Sequence, residues 1–150
     1  MELAEARAKA AEYEAFIENR LKMDLKSVLD QREKLLRQIA DYMTLKNNLL
    51  AIEKNELKAF KTLVNLGSEF YIQAKVPDAS KVFVNVGLGF HVEFTPKEAL
   101  SFIELKEAHL TGRVNELAET ANSIKSRIRT MYTGIAELMK LATINEEDGR

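Results

Sequence analysis

Two stretches of alternating pattern decide the fold: VNLGSEFYIQAKV, residues 64–76, and VFVNVGLGFHVEF, residues 82–94. Apolar side chains fall on nearly every even position, which is the period of a β-strand with one apolar face. We expect four short strands, near 62–66, 69–76, 81–86 and 90–95, with a turn at 76–80. So small a sheet has few ways to cover its apolar face within one chain, which favours an assembly subunit over an enzyme.

Long amphipathic helices are predicted on both sides of the β segment. Thr95, Pro96 and Glu98 have the spacing of a helix start with a capping box. A heptad pattern then continues to about residue 142 and predicts a coiled-coil seam. Its two rows are Ile103, Leu110, Leu117, Ile124, Met131 and Leu138, and Glu107, Val114, Ala121, Ile128, Ile135 and Ala142.

The first helix is predicted over residues 2–61. Its main apolar row is Leu21, Val28, Leu35, Tyr42 and Leu49, and its apolar face drifts around the helix. The predicted fold class is α+β: a long antiparallel coiled-coil hairpin with a four-stranded β segment, made of two β-hairpins, between the helices. We expect a single domain over residues 1–150, with helices at 2–61 and 96–142, the β segment at 62–95 and a polar tail at 143–150.

Composition argues against several classes of function. The chain has 150 residues, of which 30% are charged, and its net charge is −1, so nothing draws it strongly to nucleic acid or an anionic membrane. Cysteine is absent, which excludes disulfides and a cysteine nucleophile and fits a reducing compartment. The polar N-terminus does not have the pattern of a signal peptide, and we expect a soluble, intracellular protein.

Catalytic motifs are weak. Gly87, Leu88 and Gly89 begin like a phosphate-binding loop, but Val92 replaces the third glycine and strand pattern follows, so a backbone bend is predicted. His91 and His109 do not share metal-ligand spacing. We therefore predict no catalytic residues, no metal, no cofactor and no nucleotide hydrolysis.

The predicted order resembles the α-class prefoldin arrangement: a helix, four strands with bends at LG (Leu66-Gly67) and GxGF (residues 87–90), and a second helix. Residues 64–93 carry the likeness. YEAFI at 13–17 and DLKSVLDQREK at 24–34 are similar to the UXT (ubiquitously expressed transcript) family. EALSFI at 98–103 continues the similarity, which extends over roughly residues 13–142. The first twelve residues and residues 145–150 do not contribute to it.

The resemblance implies more than the pattern does. Prefoldins are hexamers of α-class and β-class subunits whose strands join into β-barrels and whose coiled-coil tips hold unfolded clients without ATP. UXT-like proteins occupy the α position in a prefoldin-like assembly tied to the R2TP cochaperone, and are described as transcription coregulators of cytoplasm and nucleus.

Together these lines predict a non-catalytic α-type subunit of a prefoldin-like chaperone or cochaperone scaffold, with β-class subunits, R2TP-type components and client proteins as partners. It is expected in cytoplasm and nucleus, without direct nucleic-acid or membrane binding. The predicted subunit interface is Leu66, Phe70, Ile72, Val84, Val86, Phe90, Val92 and Phe94. The predicted client or adaptor surface at the helix tips is Tyr13, Phe16, Ile17, Leu138, Met139 and Leu141.

Two alternatives remain open. One is the subunit 5 type of general prefoldin, which delivers unfolded actin and tubulin and differs in partners rather than in physics. The other is a coiled-coil transcription cofactor that acts outside a prefoldin complex through helix-groove contacts.

Overall fold

The computed structural model describes residues 3–148, and the side chains of residues 3–144. Helix α1 (Leu3–Phe16), one π-helical turn (Ile17–Leu21) and helix α2 (Lys22–Lys54) come first. The strands follow, and helix α3 ends the described chain. These later elements are β1 (Phe60–Gly67), β2 (Phe70–Val76), β3 (Val82–Gly87), β4 (Phe90–Phe94) and α3 (Pro96–Asp148). The predicted order of helix, two β-hairpins and helix is confirmed.

Helix α2 ends at Lys54, seven residues before the predicted end at 61. The Leu57 N–H donates to the Ile52 carbonyl at 3.0 Å and the Glu56 N–H donates to the Glu53 carbonyl at 3.1 Å. Glu56 has a left-handed φ of 49°. This is the hydrogen-bond pattern of a Schellman cap, a motif in which the left-handed residue is usually glycine.

The π-helical turn explains the drift of the first helix's apolar face. Ala10, Ile17 and Leu21 are buried, and half-buried Leu25 and Val28 continue the row. A heptad seam steps by four and then three residues, but here two steps of four follow each other, from 17 to 21 to 25. A π-helical turn holds one extra residue, so it absorbs the shift while both ends keep facing the same partner.

Each β-hairpin is its own two-stranded antiparallel sheet, β1 with β2 and β3 with β4. The two hairpins repeat one pattern with an offset of twenty residues, VNLGSEF at 64–70 and VNVGLGF at 84–90. In each, the asparagine side chain accepts the N–H of the glycine two residues on, at 2.8 Å in the first hairpin and 2.9 Å in the second. Two residues with positive φ then close the turn, as in a type I′ turn.

The first turn lies at Ser68-Glu69, two residues beyond the predicted bend at Leu66-Gly67, because β1 continues through Gly67. The second turn lies at Leu88-Gly89, inside the predicted bend. The glycine-rich stretch is therefore a hairpin turn followed by a strand.

Helix α3 begins with the predicted capping box. The Thr95 N–H donates to the Glu98 carboxylate at 2.9 Å, and the Glu98 N–H donates to the Thr95 hydroxyl at 3.3 Å. The helix continues to Asp148, so the predicted polar tail from 143 is helical as far as the described residues extend. Residues 149 and 150 lie outside them. The predicted seam is confirmed, since all twelve of its side chains are buried or half-buried.

The described chain forms two compact units. The first comprises the described parts of Met1–Leu36 and Gly112–Arg150, and the second is Arg37–Thr111. In the first unit Ala10, Ile17, Leu21 and Ile135 form the buried cluster. A Tyr132 hydroxyl that donates to the Glu18 carboxylate at 3.4 Å joins the two helices there. The expectation of a single domain stays a prediction.

The second unit contains both hairpins and the helix segments beside them. Its buried cluster is Leu49, Val84, Ala99 and Ile103, so β3 packs on both helices. The Lys46 ammonium lies 3.9 Å from the carboxylates of Glu104 and Glu107, which places a charge pair inside the heptad seam. Glu107, the one charged residue among the twelve of the predicted α3 seam, therefore faces a lysine of α2.

Candidate functional site

The first hairpin (β1 and β2) exposes its apolar even face. Leu66, Phe70 and Ile72, three of the predicted interface residues, are 66%, 75% and 53% exposed. Val64, which pairs with Ile72 across the strands, is also exposed. The structure therefore brings these predicted residues together on one uncovered surface, which we call the assembly face.

The second hairpin (β3 and β4) divides its even face between the chain's own core and solvent. Val84 is only 3% exposed and packs in the cluster around Leu49. Phe94 stacks on Phe102 with ring centroids 5.4 Å apart. Val84 therefore has no surface to offer a partner, contrary to the interface prediction, because the helices cover the base of this hairpin.

Towards its turn, the same hairpin is open. Phe90, beside the turn, is 67% exposed and Val86 is half-buried. Val92, which pairs with Val84 across the strands, is 39% exposed. Leu88, in the turn itself, is 97% exposed with a φ of 52°. The exposed part of the predicted interface thus lies at the tip of the second hairpin and along the whole first hairpin.

Exposed apolar residues also lie on the odd faces of the hairpins, which the alternating pattern predicts to be polar. Leu63 and Tyr71 share the odd face of the first hairpin, and Phe83 lies on that of the second. All three are more than half exposed. Strict alternation missed them, although three large apolar residues at odd positions were a visible signal.

The charges on the two odd faces differ. On the second hairpin the Lys81 ammonium lies 2.6 Å from the Glu93 carboxylate, and the hydrogen bond that Lys81 donates to Glu93 raises the pKa of Lys81. On the first hairpin Lys61 lies directly opposite Lys75. The first odd face is therefore cationic and apolar, whereas the second has its lysine neutralised.

A groove of about 650 Å³ lies between the second hairpin and the neighbouring helices. The Tyr42 hydroxyl donates to the Asn85 carbonyl at 3.2 Å, which ties the hairpin to α2. Burial raises the pKa of Tyr42. The groove is open along the hairpin and has Asp41 and Lys106 at its polar rim, but it lacks a nucleophile beside a base, so nothing in its lining supports covalent catalysis.

The predicted client surface at the helix tips is only partly available. Tyr13, Phe16 and Leu141 are exposed, at 46%, 48% and 61%. Leu138 and Met139 are half-buried, and Met139 packs against the buried cluster of the first unit. Ile17 is fully buried, so its prediction as a contact residue does not fit: the π-helical turn directs its side chain into the core.

The described residues were also compared with the side-chain groupings that hold metal ions and with the helices that cross membranes. No group of three or more potential ligands from His, Cys, Asp and Glu is placed to hold a metal ion there. Within the same residues no helix is both long and apolar enough to cross a membrane. His91 and His109 are both exposed, on β4 and on α3.

Comparison with known proteins agrees with this architecture. The family model described as Prefoldin subunit matches residues 21–141. A Dictyostelium discoideum protein named Protein UXT homolog is 40% identical over 129 residues, which cover 86% of this chain and 80% of the relative. The Nematostella vectensis protein of the same name is 41% identical over 135 residues, covering 89% and 85%. The chain belongs to the UXT family of prefoldin-like proteins.

A solved structure supports the fold independently. The cryo-EM structure of filamentous PFD from Methanocaldococcus jannaschii matches with a TM-score of 0.61 over 80% of this chain and 98% of the other, at 22% identity. The chain is therefore a prefoldin-like subunit by sequence and by fold. Catalytic activity is not known for this family, and neither the groove nor the histidines supply a reason to expect it.

Proposed function

We propose that the chain is a non-catalytic α-type subunit of a hetero-oligomeric prefoldin-like chaperone or cochaperone scaffold, and that it assembles through the assembly face of its first hairpin and the tip of its second. Membership of the UXT family and the two-hairpin architecture support this proposal.

The observation that carries the proposal is the exposure of Leu66, Phe70 and Ile72. Burying three such side chains contributes roughly 5–8 kcal/mol before the entropy of association is subtracted. The first hairpin also has unpaired backbone groups along its edges, which isolated two-stranded sheets leave open. A β-class subunit that adds strands to it would bury the face and pair those groups.

The further roles rest on family resemblance. We propose that R2TP-type cochaperone components bind the assembled complex, and that the exposed tip residues Tyr13, Phe16 and Leu141 contact clients or adaptors. Cytoplasmic and nuclear location and a transcription-coregulator role belong to the same proposal. Exposed aromatic side chains at a helix end support the contact role, since large apolar surface is a frequent mark of binding sites.

The test is co-expression of the full chain with β-class prefoldin-type subunits, followed by size-exclusion chromatography with light scattering. The chain alone is expected to self-associate or aggregate, and with partners it is expected to give a soluble hetero-oligomer. A stable monomer that ignores β-class subunits would contradict the proposal and favour the lone coiled-coil cofactor.

Affinity purification with mass spectrometry separates the remaining alternatives. Recovery of R2TP components supports the UXT-type assembly, and recovery of the tubulin-folding prefoldin set supports the general prefoldin α subunit. The non-catalytic part is tested by ATP hydrolysis with the purified complex. Hydrolysis above that of a mock purification would overturn it.

A further inference from the structure

The twenty-residue repeat allows the two odd faces to be compared position by position. Lys61 in the first hairpin corresponds to Lys81 in the second, and Gln73 corresponds to Glu93. In the second hairpin these two positions form the ion pair at 2.6 Å. In the first hairpin an amide, that of Gln73, stands at the position of the carboxylate, so Lys61 lacks the ion-pair partner that Lys81 has.

The first hairpin also adds a second cation. Lys75 pairs directly with Lys61 across β1 and β2, so both side chains project from the same face. Opposed like charges destabilise a pair of strands. Among the described residues neither lysine takes part in an ion pair or a side-chain hydrogen bond. An anion that binds beside Lys61 and Lys75 reduces the repulsion between them and so stabilises the strand pair.

Apolar side chains continue the same face toward the turn. Leu63 is 65% exposed and Tyr71 is 56% exposed, and their positions are diagonal neighbours across the two strands. The row from the Lys61–Lys75 pair to the Asn65–Tyr71 pair extends over four residues, or about 13 Å at the rise of a β-strand. This face is opposite the assembly face, so both can be occupied at once.

We propose that the odd face of the first hairpin, defined by Lys61, Leu63, Tyr71 and Lys75, is a docking surface for an acidic segment of a partner protein that carries apolar side chains. The two lysines receive the carboxylates, and Leu63 and Tyr71 receive the apolar side chains. The length of the face fits about four extended residues. A protein segment fits better than nucleic acid, because a row of phosphates would meet cations at one end and an apolar surface along the rest.

The probe is a short fluorescein-labelled peptide in which glutamates alternate with leucine and phenylalanine. Binding to the full chain, in the oligomeric form in which it purifies, is followed by fluorescence anisotropy at low and physiological salt. Lys61→Gln and Lys75→Gln are each expected to weaken binding about threefold and the double variant about tenfold, as befits exposed charge contacts. Tyr71→Ser is expected to weaken binding by a similar factor, with less dependence on salt.

Two matched controls come from the repeat. Lys81→Gln removes the same charge from the second hairpin and is expected to leave binding unchanged. Gln73→Glu recreates the ion pair of the second hairpin and is expected to weaken binding about threefold, as expected of an exposed ion pair. Gln73→Ala, which adds no carboxylate, should not weaken it. Size-exclusion chromatography of each variant shows whether assembly, which uses the other face, is intact.

Several results would overturn the inference. These are absence of peptide binding, equal losses for Lys81→Gln and Lys61→Gln, and equal binding of a peptide with lysines in place of glutamates. Equal or tighter binding of oligouridine RNA or phosphatidylserine vesicles would show a general polyanion surface instead. Failure of assembly with intact peptide binding would count against the proposed function and leave this surface standing.

Discussion

Two phenylalanines on the second hairpin allow a sharp test of which face assembles. Phe90 and Phe83 are 67% and 69% exposed, but Phe90 lies on the even face and Phe83 on the odd face. A Phe→Ser change at either position removes a similar apolar area and leaves the charge unchanged. The pair therefore separates the effect of the face from the effect of composition.

The expected magnitude follows from the exposed area. A phenylalanine side chain carries about 200 Å², so the exposed two thirds of Phe90 amount to about 130 Å² that a partner would bury. At about 25 cal/mol/Å² this is about 3 kcal/mol, or roughly a hundredfold in the dissociation constant. Because Phe90 is mostly exposed within its own chain, the folded chain itself loses little.

The assay is a titration of the labelled chain with a purified β-class prefoldin-type subunit, measured by sedimentation velocity, with circular dichroism as a check of folding. Phe90→Ser is expected to raise the dissociation constant roughly a hundredfold, and Phe83→Ser to change it by less than about threefold. Equal effects of the two substitutions, or tight binding by Phe90→Ser, would refute assembly through the even face.

Four further predictions concern stability and are checked by melting curves. Ile124→Asp places a carboxylate on the half-buried seam of α3 and should cost roughly 3 kcal/mol; an unchanged melting temperature would contradict the packing of that seam. Thr95→Ala should cost about 1 kcal/mol. The N–H of Thr95 holds the pKa of Glu98 below its usual value, so Glu98→Gln should destabilise the chain at neutral pH, and the difference from wild type should vanish as the pH falls through that lowered pKa. Glu56→Gly should stabilise by about 0.5–1 kcal/mol because it relieves a left-handed φ, whereas Lys34→Gly, at an exposed position in the middle of α2, should cost about 1 kcal/mol.

Much of the fold was predictable because its signals are periodic. The α3 seam follows from a seven-residue repeat, and the helix start at Thr95 follows from a capping box whose two hydrogen bonds are present. The hairpins follow from period-two alternation and from glycines that accept positive φ. Each of these signals acts over a few neighbouring residues, so one sequence is sufficient to read them.

Other features could not be predicted because the residue that ends the helix or forms the turn is of a type that seldom does so. Glu56 takes the left-handed position that glycine usually marks, so the end of α2 had no visible stop signal. Ser68 and Glu69 both hold positive φ without a glycine, which moved the predicted turn to Gly67. In the sequence the π-helical turn shows only as a drift of the apolar face around the first helix. The one extra residue between Ile17 and Leu25 makes the spacing of the apolar residues look irregular.

At the candidate site, the alternating pattern predicts which residues share a face but not which of them are buried. Val64 and Val84 occupy equivalent positions of the twenty-residue repeat, yet Val84 is buried by helices and Val64 is 43% exposed. Alternation reveals that a strand has an apolar face, but which element covers that face depends on tertiary packing. In the second hairpin the base of the even face is buried in the chain's own core, and the tip is exposed. The first hairpin keeps the whole face uncovered, and for that reason it is the stronger candidate for holding another subunit.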